Sequence, residues 1–211
     1  VVASTSIVAY VGQTSAKNVL STRLEQSDMP NLLQRIRNAI DGEINQMKVM
    51  AQSIASNSMI KMWLDEGASA ESEPYIIQYL AQTASDNSFS NVSFTDYDQH
   101  RHRNINGFLR VFNPDREKWF FNFKNSGKTE SSSIYKDSKG STDIYFNYQQ
   151  PNGYGVAGVS KPFDEMVDYL NSFKIEKSGF VYLVDGNGVI KVHPSIDYKS
   201  KKTIAAFAWG L

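Results

Sequence analysis

Cysteine is absent from the 211 residues, which excludes a disulfide framework, a thiolate zinc site and a cysteine nucleophile together. Charge of one sign is absent too. Lys plus Arg number 22 and so do Asp plus Glu, which argues against a nucleic-acid partner, whose binding rests on clustered positive charge set against phosphates. No long hydrophobic run occurs: the opening VVASTSIVAYVG is apolar, but a span across a bilayer needs about 20 such residues. Phosphate-binding glycine loops are missing as well, since GVAGVS lacks both the glycine spacing and the following acid of a dinucleotide fold. No Ser, His and Asp set with a nucleophile elbow is present. His100 and His102 have two arginines beside them and no third ligand nearby, so they read as part of a solvated loop rather than a metal site. The chain is therefore not expected to be an enzyme, and no metal or cofactor is expected.

What is present is aromatic side chain and periodic helix. Leu33, Ile36, Ile40, Ile44, Met47, Ala51, Ile54, Ala55 and Met62 recur mostly at steps of three or four, one stripe of a long amphipathic helix with Gly42 as its weak point. Asp28 and Pro30 mark its start, and an earlier helical piece over 15–24 runs up to it. At about 1.5 Å per residue the two pieces would reach roughly 60 to 70 Å, longer than one small core needs, so part is expected to serve as a stalk or dimer surface. Gly67 ends it, and a second helix carries Tyr75, Ile76, Tyr79 and Leu80.

After Asp86 the period changes to that of strands. NVSFTDYD and GFLRVF read as strands separated by a polar loop, QHRHRNIN. The aromatic block WFFNF follows, with Trp119, Phe120 and Phe123 on one side of a short helix. SSIYKD, DIYFNYQQ and GYGVAGVSKP are further strands, the last two joined by a PNG turn. FDEMVDYLNSF has helical spacing, and GFVYLVDGNGVIKVH reads as a hairpin around Asp185 to Gly188. The sum is an α+β domain on an antiparallel sheet. In DIYFNYQQ, Asp143, Tyr145, Asn147 and Gln149 share one face. With WFF above them they form a candidate small-ligand pocket, and Arg110, on a strand, offers a positive charge to it.

These segments, in this order, resemble double Cache sensor domains, the extracytoplasmic PAS-like ligand-binding domains of bacterial transmembrane receptors. The resemblance runs from about Leu32 to Pro194 and is carried best by WFF, FNYQQ and GFVYLVDGNGVIKVHP, with wording closest to methyl-accepting chemotaxis proteins. It implies a Cache fold: a long N-terminal helix packed on a PAS-like antiparallel sheet, followed by an incomplete second PAS-like module. The implied organisation is the end of a membrane helix at 1–12, a helical stalk at 13–66, a membrane-distal ligand-binding module at 67–172 and the start of a truncated proximal module at 173–211. It also implies a homodimer through the N-terminal helix, anchorage in the inner membrane with this region periplasmic, and a small polar ligand: an amine, an amino-acid-like molecule or a small organic acid. The implied contacts are Trp119, Phe120, Phe123, Tyr135, Tyr145, Asn147, Arg110 and Ser160.

One departure bears on the ligand. Amino-acid-binding members carry an Arg two places before the Trp, a Tyr after it and an Asp closing the GVAGV strand; Glu117, Phe120 and Ser160 stand there in this chain, with Arg116 one residue away. Free α-amino acids are correspondingly less expected. Two alternatives stay open: the sensor region of a membrane diguanylate cyclase, and an exported structural or adhesive domain that binds no small molecule.

Overall fold

The computed structural model describes residues 26, 28–136, 142–162, 165, 168, 183–184 and 190–192. The expected membrane-helix end, the helical piece over 15–24, nearly all of FDEMVDYLNSF, the tip of the last hairpin and everything past its second strand lie outside them. No described helix is long and apolar enough to cross a membrane.

The chain divides into two compact units, 1–43 and 44–211. The first is described by the opening turns of helix α1 (Met29–Ala55), where Pro30 occupies the first turn and its missing N–H costs nothing. Ile36 is buried there and Leu33 exposed, while Gln34 donates to Asn38 at 2.7 Å and Arg37 faces Asp41 at 3.6 Å, one turn apart.

The second unit begins within α1. The helix passes through Gly42 without a break and stops at Ala55, so the expected continuous stripe to Met62 is interrupted. Asn57 is the cause. Its Oδ1 accepts from the backbone N–H groups of Met59 at 2.8 Å and Ile60 at 3.3 Å, capping a new helix, α2 (Ser58–Asp65), at the expense of the old one. The change of direction buries Trp63, whose indole donates to the Ser69 carbonyl at 3.0 Å, and leaves Met62 exposed. α1 alone reaches only about 40 Å. Gly67, with φ at +88°, turns the chain towards α3 (Glu73–Asp86), which buries Ile76, Leu80 and Ala84 and leaves Tyr75 exposed.

A six-stranded antiparallel sheet follows: β1 (Asn91–Asp96), β2 (Arg101–Asn104), β3 (Gly107–Val111), then helix α4 (Lys118–Asn125), β4 (Glu130–Lys136), β5 (Thr142–Gln149) and β6 (Gly155–Pro162). Its order is β3-β2-β1-β6-β5-β4, so the chain crosses over through α4 and closes with β6 beside β1. The QHRHRNIN segment corrects the loop reading. Its middle is β2, paired with β1 through Phe94–Arg103 and Thr95–His102. The charges that made it look solvated are met inside: Arg103, 1% exposed, is bound by Asp96 at 3.1 Å and by Glu73, and its guanidinium lies 4.5 Å from the Trp63 ring. The PNG turn is present, with Asn152 left-handed at φ 58° as Asn tolerates. A separate antiparallel pair, β7 (Leu183–Val184) and β8 (Ile190–Val192), supplies the strands expected of the last hairpin.

One face of the large sheet carries the main core. Val92, Phe94, Phe146, Tyr148, Ala157 and Val159 pack there against Met47, Ala51, Ile54, Trp63, Ile76 and Leu80 from α1, α2 and α3. Alternation along each strand sends the intervening residues to the other face.

Candidate ligand-binding face

That other face is graded. Cross-strand register lays its residues out in rows, and the first row is Gln149, Val156, Thr95 and His102. α4 covers it. Phe120, Phe123, Phe112 and Val156 form a buried aromatic cluster, with Phe120 meeting Phe112 edge-on at 5.3 Å and Phe121 at 5.1 Å. Polar groups in this row are all engaged. Tyr97 donates its hydroxyl to Gln149, and the Gln149 amide donates to the carbonyls of Phe123 at 2.8 Å and Lys128 at 2.7 Å, tying α4 to the sheet. Burial pushes the Tyr97 phenol up to about 12, which keeps it a donor. His102 shares a 2.7 Å hydrogen bond with Thr95 and stacks on Phe112 at 4.5 Å. Burial, and next the Arg110 charge, bring it down to about 4, so it is neutral at ordinary pH.

The next rows are polar. Asn147, Gly158 and Ser93 lie opposite one another, then Tyr145, Ser160 and Asn91, and beyond them Asp143. Gly158 leaves room for its neighbours: a Cβ on it would stand 2.8 Å from Asn147 Oδ1 and 2.9 Å from Ser93 Oγ, side-chain ends that lean over the bare backbone and would have to swing away. Asn147 is 7% exposed and its amide makes no hydrogen bond among the described residues. Asn91 Oδ1 is buried with no partner. Ser160, fully buried, and Ser90 both reach Asp143 Oδ2, at 3.1 and 2.6 Å. Buried amides without partners are uncommon, because each forfeits its hydration. One such acceptor, Asn91 Oδ1, beside the unbonded amide of Asn147 in the adjacent row marks this stretch as chemically unfinished.

The expected contact residues divide between these regions. Asn147, Ser160 and Tyr145 stand on the polar rows. Phe120 and Phe123 are in the aromatic cluster, and Trp119, half exposed, meets Phe112 edge-on at 5.9 Å from outside it. Arg110 is held by Glu117 at 3.2 Å and lies over the Phe112 ring at 5.7 Å, at the far side of the sheet from Asp143. Tyr135 pairs with Asp143 through the backbone, and its side chain lies outside the described residues. His100 and His102 point to different partners, Lys124 at 3.2 Å and Thr95. Asn91 and Ser93 were missed, although the alternation in NVSFTD places them opposite Val92 and Phe94. A concavity of about 400 Å³ lies elsewhere, between α3 and the turn joining β2 to β3, lined by Ile77, Ala81 and Phe108 together with Glu73 and Gln78.

No family model matches the chain. Solved structures do. The ligand-binding domain of the Pseudomonas aeruginosa amino acid chemoreceptor PctC, in complex with GABA, superposes with a TM-score of 0.59 at 18% identity, over 86% of this chain and 79% of that one. The ligand-binding domain of Mlp24 with asparagine gives 0.60 at 16%, over 93% and 81%. A domain of a sensory box/GGDEF family protein from Vibrio parahaemolyticus gives 0.59 at 12%, over 79% and 71%. The fold is thus the PAS-like Cache fold of ligand-binding sensor domains. Proteins that share it include chemoreceptors, a GGDEF protein and a putative histidine kinase.

Proposed function

We propose that this chain is the periplasmic ligand-binding domain of a membrane-anchored chemotaxis receptor of the methyl-accepting kind, and that it holds a small polar molecule on the polar rows beside α4. The observation that carries the reading is the buried, unpartnered acceptor Asn91 Oδ1 beside the unbonded amide of Asn147, on the face turned away from α1, α2 and α3. A bound molecule would supply what they lack, and α4 would supply its apolar wall. In this reading the residues 67–172 form the distal module, 13–66 the stalk, and two chains associate through the N-terminal helix. Ligand shifts the balance between two packings of the sheet against α1 by no more than its difference in affinity for them. Chemoreceptor neighbours bound to GABA and to asparagine support the chemotaxis output. The GGDEF neighbour supports the second reading, the same sensor with a cyclase output.

The test is a thermal-shift screen of the chain against amines, amino acids, small carboxylates and nucleobases, repeated on Asn147→Ala and Trp119→Ala. A binder at a hundred times its dissociation constant adds about 2.7 kcal/mol. Stabilisation of the parent that Asn147→Ala abolishes, in a variant that still unfolds cooperatively, supports the reading; equal stabilisation of both proteins places the ligand elsewhere.

A further inference from the structure

We propose that the outer edge of β3 is an interaction surface for a second copy of this chain, the two edge strands pairing antiparallel about a two-fold axis near Leu109. This contact involves neither α1 nor the polar rows.

β3 stands at the end of the strand order, and among the described residues no strand pairs with its outer side. An edge strand presents alternate N–H and C=O groups outward, and edges are ordinarily covered or charged so that no further strand is added. Here the edge is apolar and open. Phe108, Leu109 and Val111, three of the five residues of GFLRV, are each about half exposed. A bulge opposite His102 and Arg103 leaves Leu109, at the middle of the edge, without a partner in β2. The one charge on the strand, Arg110, is held by its own Glu117 at 3.2 Å and lies over Phe112, so it does not bring an unanswered cation to the contact.

The two ends of the strand differ in charge. Val111 pairs with Arg101, which alternates with Arg103 and so shares the helix-bearing face of the sheet. The Arg101 guanidinium forms no ion pair among the described residues. At the other end Gly107 and Phe108 border the concavity, whose opposite wall includes Ala70 and Glu73 at the approach to α3. Glu71 lies between those two, exposed and also without an ion pair among the described residues.

A two-fold axis perpendicular to the sheet keeps the helices of both copies on one face and sets the Val111 end of each β3 against the Gly107 end of the other. Phe108 and Val111, both on the helix-bearing face, then meet across the join, an aromatic and a β-branched side chain of the kind that stabilises strand pairs. Arg101 stands two strand spacings, about 10 Å, from the other copy's β3. Between them Gly107 has no side chain to block its approach to Glu71, and symmetry makes this charge pairing twice. Any extended peptide would satisfy the open backbone. Only a second copy answers Arg101 and Glu71 together, and this selects the occupant.

The chain has no cysteine, so one introduced thiol reports the contact alone. Leu109→Cys is expected to give a covalent dimer on mild oxidation, because a disulfide needs Cα atoms about 4.4 to 6.8 Å apart and a residue beside the axis faces its own copy. Met62→Cys, equally exposed but on α2, should not. In sedimentation velocity Arg101→Glu and Glu71→Arg should each weaken self-association at least threefold by opposing like charges, and the double variant should restore it. No covalent dimer from Leu109→Cys, or one formed as readily by Met62→Cys, overturns the proposal. So does self-association that neither single charge change alters, which would assign it to another surface such as α1. Weakening by both single changes without restoration in the double variant overturns the pairing of Arg101 with Glu71 and with it the choice of a second copy. Circular dichroism and unfolding midpoints of each variant separate lost association from lost folding.

Discussion

The two faces of the one sheet are built by the same strands and differ in almost everything else. On the helix side Val92, Phe94, Ala157 and Val159 are at most 1% exposed and the buried cation, Arg103, is answered by Asp96 and Glu73. On the other side Asn91, Ser93, Asn147 and Ser160 alternate with them, and the buried acceptor Asn91 Oδ1 has no partner. A face that is finished stabilises the fold; one that is left unfinished is available to a ligand, at the cost of desolvated groups carried by the rest of the domain.

The comparison breaks most severely if the finished face is opened. Phe94→Ala removes a ring 1% exposed between β1 and the helices, and is expected to cost about 3 to 5 kcal/mol in a urea titration. Arg103→Met leaves Asp96, at 4% side-chain exposure, buried without its cation. About 3 kcal/mol is expected, the lower part of the range for a broken buried pair, since Glu73 reaches solvent. Combining it with Asp96→Asn should cost less than the two single changes added, and strict additivity would show that the pair does not act as one unit.

A smaller effect separates the aromatic row from both. His102 is held neutral by burial and next by Arg110, which outweigh the opposite pull of Glu117, with Arg103 contributing least, so its folded value of about 4 lies below the ordinary 6.5. A lowered value means that stability is fully present above pH 6.5 and is lost as pH falls towards 4. By pH 5 the loss from this group alone is about 2 kcal/mol. Unfolding midpoints measured from pH 7 to pH 4.5 should show the slope in the parent and a flatter one in His102→Gln. The least costly change is expected on the polar rows: Ser160→Ala removes hydrogen bonds to Asp143 and Ser90 but no packing, for about 1 kcal/mol, and should reduce ligand response more than stability. A loss as large as that of Phe94→Ala would make Ser160 part of the core and erase the distinction between the faces.

Much of this was legible in the chain. The alternation in DIYFNYQQ and GYGVAGVSKP located both strands and the shared face of Asp143, Tyr145, Asn147 and Gln149, because a strand with one buried face must alternate. The stripe from Leu33 onward located α1. Its end was not legible, since Asn57 fits a helix surface as well as a cap and only the burial of Trp63 beyond it favours the break. β2 was misread for a related reason. RHRN is polar by composition, and its strand exists because Asp96 and Glu73, 7 and 30 residues away, neutralise Arg103 inside.

The sequence by itself determined the class of fold and which residues share a face, because hydrophobic period and turn chemistry are local properties of the chain. Only the tertiary structure decided which polar groups are spent and which are left over. Arg103 and Gln149 are used up in tying helices to the sheet, whereas Asn91 and Asn147 are not, and that difference depends on partners brought near by strand pairing rather than by sequence.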